Sequence, residues 1–379
     1  MVHLVAAWLA LALVAGASVY CVLTLIAVRS YLGQPEARLR GVVPVSILKP
    51  LYGAEPALEA LLRTFFEQEY PNFEILFAVR RETDPAVAVV QRLCEQYPHV
   101  PARLLITGEP EWPNAKVWSL EHMTAEAKFD LLAMCDSDIA VGPDFLRRVA
   151  AEFENPGLAL TTCPYRAVPG GTIWSTLEAI GANTEFLSGV LVARMLEGMR
   201  FAVGPTIVAR KQAITAIGGW QRVRDYLAED FVLGQLAADA GLGVGLSRYV
   251  VDHHIGGAML RPNFAHRLRW CRSTRRSRPA GYVGQLFTNP TPLILFLLAI
   301  QPGWWPVCAG ATMLRAMAAW ATAGPVLHDP LTAGRWFLVP LQDLLSFAFW
   351  CAGFFGNTIR WRGRQYTLHP DGRFTPTAR

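Results

Sequence analysis

Residues 131–138 read LLAMCDSD. Five apolar residues run straight into two aspartates two positions apart. In an extended chain alternate residues share a face, so Asp136 and Asp138 project the same way from a strand end. A strand that is apolar throughout belongs in a mostly parallel sheet with helices on both faces. The flanking sequence repeats the pattern. Val42 to Leu48 (VVPVSIL) and Phe73 to Val79 (FEILFAV) are further β-rich runs, and Ala102 to Ile106 is a third. Between the first two, residues 56–68 carry Leu58, Leu61, Leu62, Phe65 and Phe66 at helical spacing, and residues 85–96 and 114–128 are helical in pattern. Strand and helix alternate, which predicts an α/β fold with its ligands beyond the carboxyl ends of the strands.

That soluble-looking middle is flanked by apolar ends. The 379 residues are 52% hydrophobic and 17% charged, with a mean hydropathy of +0.26; a typical soluble domain is about 25% charged. Leu4 to Val28 and Pro279 to Leu314 contain no charged residue. About 20 apolar residues span a bilayer, so an integral membrane protein is expected and a disordered chain is excluded. Met1 to Leu13 lacks Lys and Arg, whereas Arg29, Arg38 and Arg40 follow the apolar run. This favours an uncleaved anchor with its carboxyl side in the cytoplasm over a cleaved signal peptide. The expected organisation is an anchor (1–28), a basic linker (29–41), a cytoplasmic catalytic domain (42–260), a basic interfacial helix (261–280), membrane or interfacial segments (281–358) and a basic tail (359–379). The seven cysteines are scattered and form no CxxC pair, which excludes a disulfide framework and a zinc site. The net charge of +5 rests on 31 Arg and 4 Lys clustered beside the apolar segments. That placement fits lipid headgroups and the bilayer surface, and no nucleic-acid role.

No G-x-G-x-x-G follows the first strand, and GxxxxGK[ST], HExxH and GxSxG are absent, so hydride transfer, P-loop chemistry, zinc proteolysis and the hydrolase elbow lose their main support. Three acidic sites remain. Asp136 and Asp138 can hold Mn²⁺ or Mg²⁺ against a phosphate, or cap a turn before Gly142-Pro143. Asp84, after the second strand, can accept from a base or ribose, or cap the helix that begins at Pro85. Glu229 and Asp230 open a helical segment, where first-turn acidity alone would explain them. Residues 261–278 hold seven arginines and no acid. Helical spacing puts His266, Arg269, Trp270 and Ser273 on one face, suited to a sugar-nucleotide diphosphate or to lying on an anionic membrane.

Taken in order, VSILKPLYGAEPALEALLRTFFEQEYP, DPA, CDSD, AED and HRLRW make the chain resemble the ceramide glucosyltransferase family, membrane relatives of the inverting GT-A-type glycosyltransferases. The resemblance runs from about Val45 to Trp270 and more faintly to the WRGRQY tail. It implies a GT-A-like fold, with Asp84 near the uridine, Asp136 and Asp138 as the metal-binding Asp-x-Asp, Asp230 as general base, Asn114 and Lys116 near the donor, and Arg269 and Trp270 closing a (Gln/Arg)-x-x-Arg-Trp motif. His266 stands where that motif has Gln or Arg, and is expected to hold a proton and contact the donor or leaving group. Lys49 matches an early Lys-Pro of structural or donor-side role. Bacterial members include the hopanoid-associated glycosyltransferase, and the Arg-rich composition makes a hopanoid as fitting an acceptor as ceramide.

The activity so implied is transfer of one hexose (glucose or N-acetylglucosamine) from a UDP-sugar to a membrane lipid hydroxyl at the bacterial inner membrane. A processive polysaccharide synthase would share the motifs but needs a channel. A non-catalytic scaffold or transporter would place ionisable residues within its spans, where Arg315 and Asp343 are the clear candidates. Arg360, Arg362 and Arg364 argue for a cytoplasmic carboxyl end. Apolar segments near 283–300, 303–324 and 336–358 are one too many for that, so one of them, such as the first with its Asn289-Pro290, is expected to re-enter or lie in the interface.

Overall fold

Seven strands assemble into one sheet in the computed structural model of the chain, which describes residues 2–55, 57–361 and 364–377. In chain order they are β1 (Val45–Pro50), β2 (Phe73–Val79), β3 (Ala102–Ile106), β4 (Leu131–Cys135), β5 (Leu158–Thr162), β6 (Thr206–Arg210) and β7 (Gly243–Leu246). Across the sheet the order is β3-β2-β1-β4-β6-β5-β7. The pairs β1–β2, β2–β3, β1–β4 and β5–β7 are parallel; β6 runs antiparallel to both neighbours, which makes the sheet mixed. β2 and β4 are buried along their whole length, as apolar strands covered on both faces must be. The helices Leu58–Phe66, Ala86–Gln96 and Ala115–Glu126 fall in the segments with helical spacing, although Pro56 lies outside the described residues. The first strand starts three residues later than expected, at Val45, and continues to Pro50. The expected α/β architecture with a mostly parallel sheet is what forms.

The chain divides into two compact units. The sheet unit contains residues 35–165, 199–254 and 372–379; the second contains 1–34, 166–198 and 255–371. The second unit is helical and includes a segment from the middle of the sequence: Ile173–Gly181, a π-helical turn Ala182–Phe186, and Leu187–Glu197. Within this unit, Ser188 on that segment hydrogen-bonds Tyr20 of the first helix at 3.0 Å. Among the described residues two helices, His3–Leu32 and Trp336–Gly353, are long and apolar enough to cross a membrane. Pro279–Phe287 and Pro290–Ile300 form a third candidate, bent by 50° as a broken span or re-entrant loop. The bend falls at Asn289-Pro290, where the ring removes a backbone donor.

The helix Trp305–Ala321 carries Arg315, almost fully buried, whose guanidinium grips Asp343 of the helix Val339–Gly353. The Nη2–Oδ1 distance is 2.7 Å, Nε lies 3.2 and 3.1 Å from the two carboxylate oxygens, and Thr291 Oγ1 donates to Oδ2 at 2.8 Å. Leu260–Ser277 is the basic helix. Arg272 and Arg275 donate from it to backbone carbonyls between Phe354 and Thr358, and Arg275 and Arg276 both reach Asn357 Oδ1. These arginines therefore also tie the unit together. Of the basic tail, Arg362 lies outside the described residues, while Arg360 sits in a hairpin of Thr358–Trp361 with Arg364–Leu368.

Candidate active site

β4 ends at Cys135, and the backbone then turns so that Ile139–Ala140 pairs with Val251–His254. The turn is pinned from three sides. Asp136 N–H donates to Pro205 O at 3.0 Å, and His254 N–H donates to Asp138 O at 2.9 Å. Lys49 Nζ donates to the Asp136 carbonyl at 2.6 Å. Lys49 is fully buried, with its ammonium 3.8 Å from the centroid of the Phe65 ring, and burial pushes it down to about 8. Its ammonium thus holds the Asp-x-Asp backbone through that carbonyl.

The two aspartates have different surroundings. Asp136 Oδ1 meets Lys116 Nζ at 2.7 Å, while Asp138 Oδ2 lies 3.1 Å from His253 Nε2. Burial, together with the charge of Asp138, raises Asp136 despite Lys116. Burial would raise Asp138 as well, but His253 beside it outweighs that and leaves its carboxyl below the usual range. Asp138 Oδ1 is buried and has no hydrogen-bond partner among the described residues.

Lys116 is the hub of the site. Asn114 caps the helix Ala115–Glu126, its Oδ1 accepting from Lys116 N–H at 3.0 Å and Val117 N–H at 3.3 Å. The cap fixes the first turn, so Lys116 Nζ reaches Asp136 Oδ1 on one side and Glu229 Oε1 at 3.1 Å on the other. The Asn114 amide donates to Glu229 Oε2 at 3.1 Å and to Tyr226 O at 2.9 Å. Burial opposes the Lys116 charge, but Asp136 and Glu229 win and raise it above the usual lysine value.

Asp230 follows Glu229 in the first turn of the helix Glu229–Asp239. Burial, and then the Glu229 charge, raise its carboxyl to about 7. Gly204 makes room for it, since a Cβ there would stand 2.7 Å from Asp230 Oδ2. Asp84 has other partners. It accepts from Ala86 N–H at 2.9 Å and from Gly53 N–H at 3.0 and 3.1 Å, so it holds the loop after β1 against the start of a helix. The capping alternative thus describes it as the structure stands.

His266, Arg269 and Trp270 belong to the helical unit. His266 and Trp270 pack ring to ring with centroids 4.9 Å apart, and Trp270 lies 6.4 Å from Phe186. His266 Nδ1 meets Glu178 Oε1 at 2.9 Å.

Sequence reasoning missed Glu178, His253 and the part played by Glu229. The Glu229-Asp230 pair was a visible signal for the last. His253 and Glu178 had none, because their partners lie 115 and 88 residues away. Among the described residues no three His, Cys, Asp or Glu side chains form a ready cage for a metal. What is present fits an ion shared with a ligand. Asp138 offers a buried oxygen without a partner, and Asp136 stands two residues away. Mg²⁺ and Mn²⁺ commonly take one or two carboxylates and complete their shell with water and substrate phosphates.

The mixed sheet of this order, with an Asp-x-Asp at the end of a central strand, is GT-A-like. The chain belongs to glycosyl transferase family 21, whose model matches residues 8–374. It is 29% identical over 218 residues to ceramide glucosyltransferase 1 of Caenorhabditis elegans, covering 57% of this chain and 46% of that one. With the ceramide glucosyltransferase of Komagataella phaffii it shares 38% identity over 108 residues, 27% of this chain and 21% of the relative. The chain thus spans less than half the length of these relatives. Among solved structures, mannosyltransferase PcManGT from Pyrobaculum calidifontis, in complex with GDP-Man and Mn²⁺, superposes with a TM-score of 0.57 at 18% identity, covering 92% of this chain and 97% of that one.

Proposed function

We propose that the chain transfers one hexose from a UDP-sugar to a hydroxyl of a membrane lipid, with inversion at the anomeric carbon. The observation that carries this is the Asp136–Lys116–Glu229 cluster with Asp230 following Glu229 in the first turn of its helix, inside a family 21 chain; burial raises the Asp230 carboxyl to about 7. A general base works best with a pKa near the operating pH. Asp230 would take the proton of the lipid hydroxyl while its oxygen forms a bond to the anomeric carbon and the bond to the UDP oxygen breaks. Attack opposite the leaving group turns an α-linked donor into a β-glycoside.

Lys116 would turn its charge toward the diphosphate, and Asp84 would accept from the uridine moiety. By the motif they share with the family, Arg269 would face the donor and Trp270 would floor the acceptor or sugar site. Asp138 and Asp136 would hold Mn²⁺ or Mg²⁺, which supplies charge neutralisation for the departing diphosphate; the GDP-Man and Mn²⁺ of the solved mannosyltransferase support this pairing of nucleotide sugar and metal. The ceramide glucosyltransferase relatives support a lipid acceptor; a ceramide or a hopanoid polyol would supply the hydroxyl. The candidate spans support attachment to a membrane, and Arg29, Arg38 and Arg40 after the first would set the sheet unit on the cytoplasmic side of a bacterial inner membrane.

The test is UDP release by the purified chain, with UDP-glucose and UDP-N-acetylglucosamine each offered with ceramide and with a hopanoid polyol. One pair should give lipid-stimulated UDP and a singly glycosylated lipid. No stimulation by any pair would overturn the proposal, and a polymeric product would make the chain a processive synthase.

A further inference from the structure

Glu178 lies in the helix Ile173–Gly181 and is 8% exposed. Both of its oxygens are engaged by the basic helix. Oε1 lies 2.9 Å from His266 Nδ1, and Oε2 accepts from the amide of Asn263, which is 2% exposed. A carboxylate only accepts, so Nδ1 of His266 must carry the proton. In the neutral ring that leaves Nε2 as a lone pair, and Nε2 makes no hydrogen bond among the described residues. His266 is one-third exposed, and the Trp270 ring packs beside it with Phe186 beyond.

We infer that the Glu178–His266 pair, with Trp270 alongside, is a binding site for a hydroxyl of the lipid headgroup other than the one that reacts, His266 Nε2 accepting that hydroxyl's hydrogen bond. This deepens the proposed sugar transfer by naming residues that recognise the acceptor. The chemistry selects the ligand. A diphosphate oxygen carries no hydrogen, so it would meet a lone pair at Nε2 with the Glu178 charge behind it. A hydroxyl donates, bears no charge, and brings hydrocarbon suited to the indole and phenyl rings. His266 thereby reads the acceptor, in contrast to the donor contact expected from its motif position. Glu178 acts through His266 and is a positioning residue.

The experiment measures, at about pH 8, above the ordinary imidazole value, equilibrium binding of N-hexanoyl-sphingosine and of its 3-O-methyl ether to the full chain in detergent. The ether keeps the shape but cannot donate from that oxygen. Wild type should prefer the free hydroxyl by roughly 2- to 12-fold, the worth of one neutral hydrogen bond. His266→Phe keeps a ring against Trp270 and should abolish the preference, leaving UDP affinity unchanged. Glu178→Gln is the second variant, should the first not fold. Its amide can donate to Nδ1, moving the proton to Nε2, which then serves ether and hydroxyl alike; the preference should fall toward one. Equal binding of both probes by wild type, a preference that survives in the variants, or loss of UDP binding in His266→Phe with the lipid preference intact would each overturn the inference. Because binding is read without turnover, a wild type that prefers the hydroxyl yet transfers no sugar would sink the transferase proposal and leave this site standing.

Discussion

Replacing Lys116 by Gln removes the cation set between Asp136 and Glu229, at 2.7 and 3.1 Å. Breaking a buried ion pair from one side costs roughly 3–5 kcal/mol. The three side chains are 17%, 32% and 12% exposed, so water screens part of the loss. About 2–3 kcal/mol is a sound expectation after that discount. For a unit of this size it corresponds to a fall of roughly 4–12 °C in the unfolding midpoint. The loss should also depend on pH. Without Lys116, Asp136 and Asp230 rise further above their unfolded values. A carboxyl raised in the folded state stabilises it while protonated, and that contribution disappears as pH rises through the folded value. Lys116→Gln should therefore lose least near about pH 5 and most near about pH 8. The assay is thermal unfolding of the full chain in detergent at both pH values, beside UDP-sugar affinity by calorimetry. A variant as stable as wild type, or one equally destabilised at both pH values, would refute the hub role of Lys116.

Further outcomes follow from the same cluster. Asp230→Asn should reduce sugar transfer by roughly 10²–10⁴-fold with donor affinity little changed; the wild-type rate should climb with pH through about 7 as the carboxyl ionises, and the variant should lack that limb. Asp138→Ala should abolish the Mn²⁺ or Mg²⁺ dependence of UDP binding, measured by titration with and without chelator. Glu229→Gln keeps an acceptor for Lys116 but loses the charge behind it, so Asp230 should titrate lower and the ascending limb of the rate should shift to lower pH. Asp84→Ala should raise the donor KM and expose the loop at Gly53 to proteolysis, because both Asp84 oxygens hold that backbone amide.

The sheet was legible because its strands announce themselves locally. FEILFAV and LLAMC form strands over those same residues, since a strand buried on both faces can be apolar at every position. The antiparallel β6 and the helical segment 166–198 were not legible in that way. The sequence of Ile173–Gly181 reads as an ordinary apolar helix, and its grouping with residues from both ends of the chain is decided by contacts far away in sequence, such as Ser188 with Tyr20. The acidic positions were visible as types and spacings. Their partners were not: nothing near Asp138 in sequence points to His253, and nothing near His266 points to Glu178. Asp84 shows the converse, a residue whose capping alternative proved physically concrete.

Arg315 and Asp343 constrain how such a chain could be made. A charged residue at the centre of a membrane helix costs about 2.5–3.5 kcal/mol at insertion. Arg315 leaves the ribosome 28 residues before its counter-ion. Until Asp343 emerges, the helix Trp305–Ala321 is a poor candidate for partition into lipid by itself, and the helix of Asp343 carries the same handicap in isolation. The two are best admitted as a pair, their charges already matched by the bidentate grip. Truncated nascent chains ending before and after Asp343 would then differ in how far Cys308, on Trp305–Ala321, reacts with a membrane-impermeant thiol reagent, so that settling of this helix pair is a late event in synthesis.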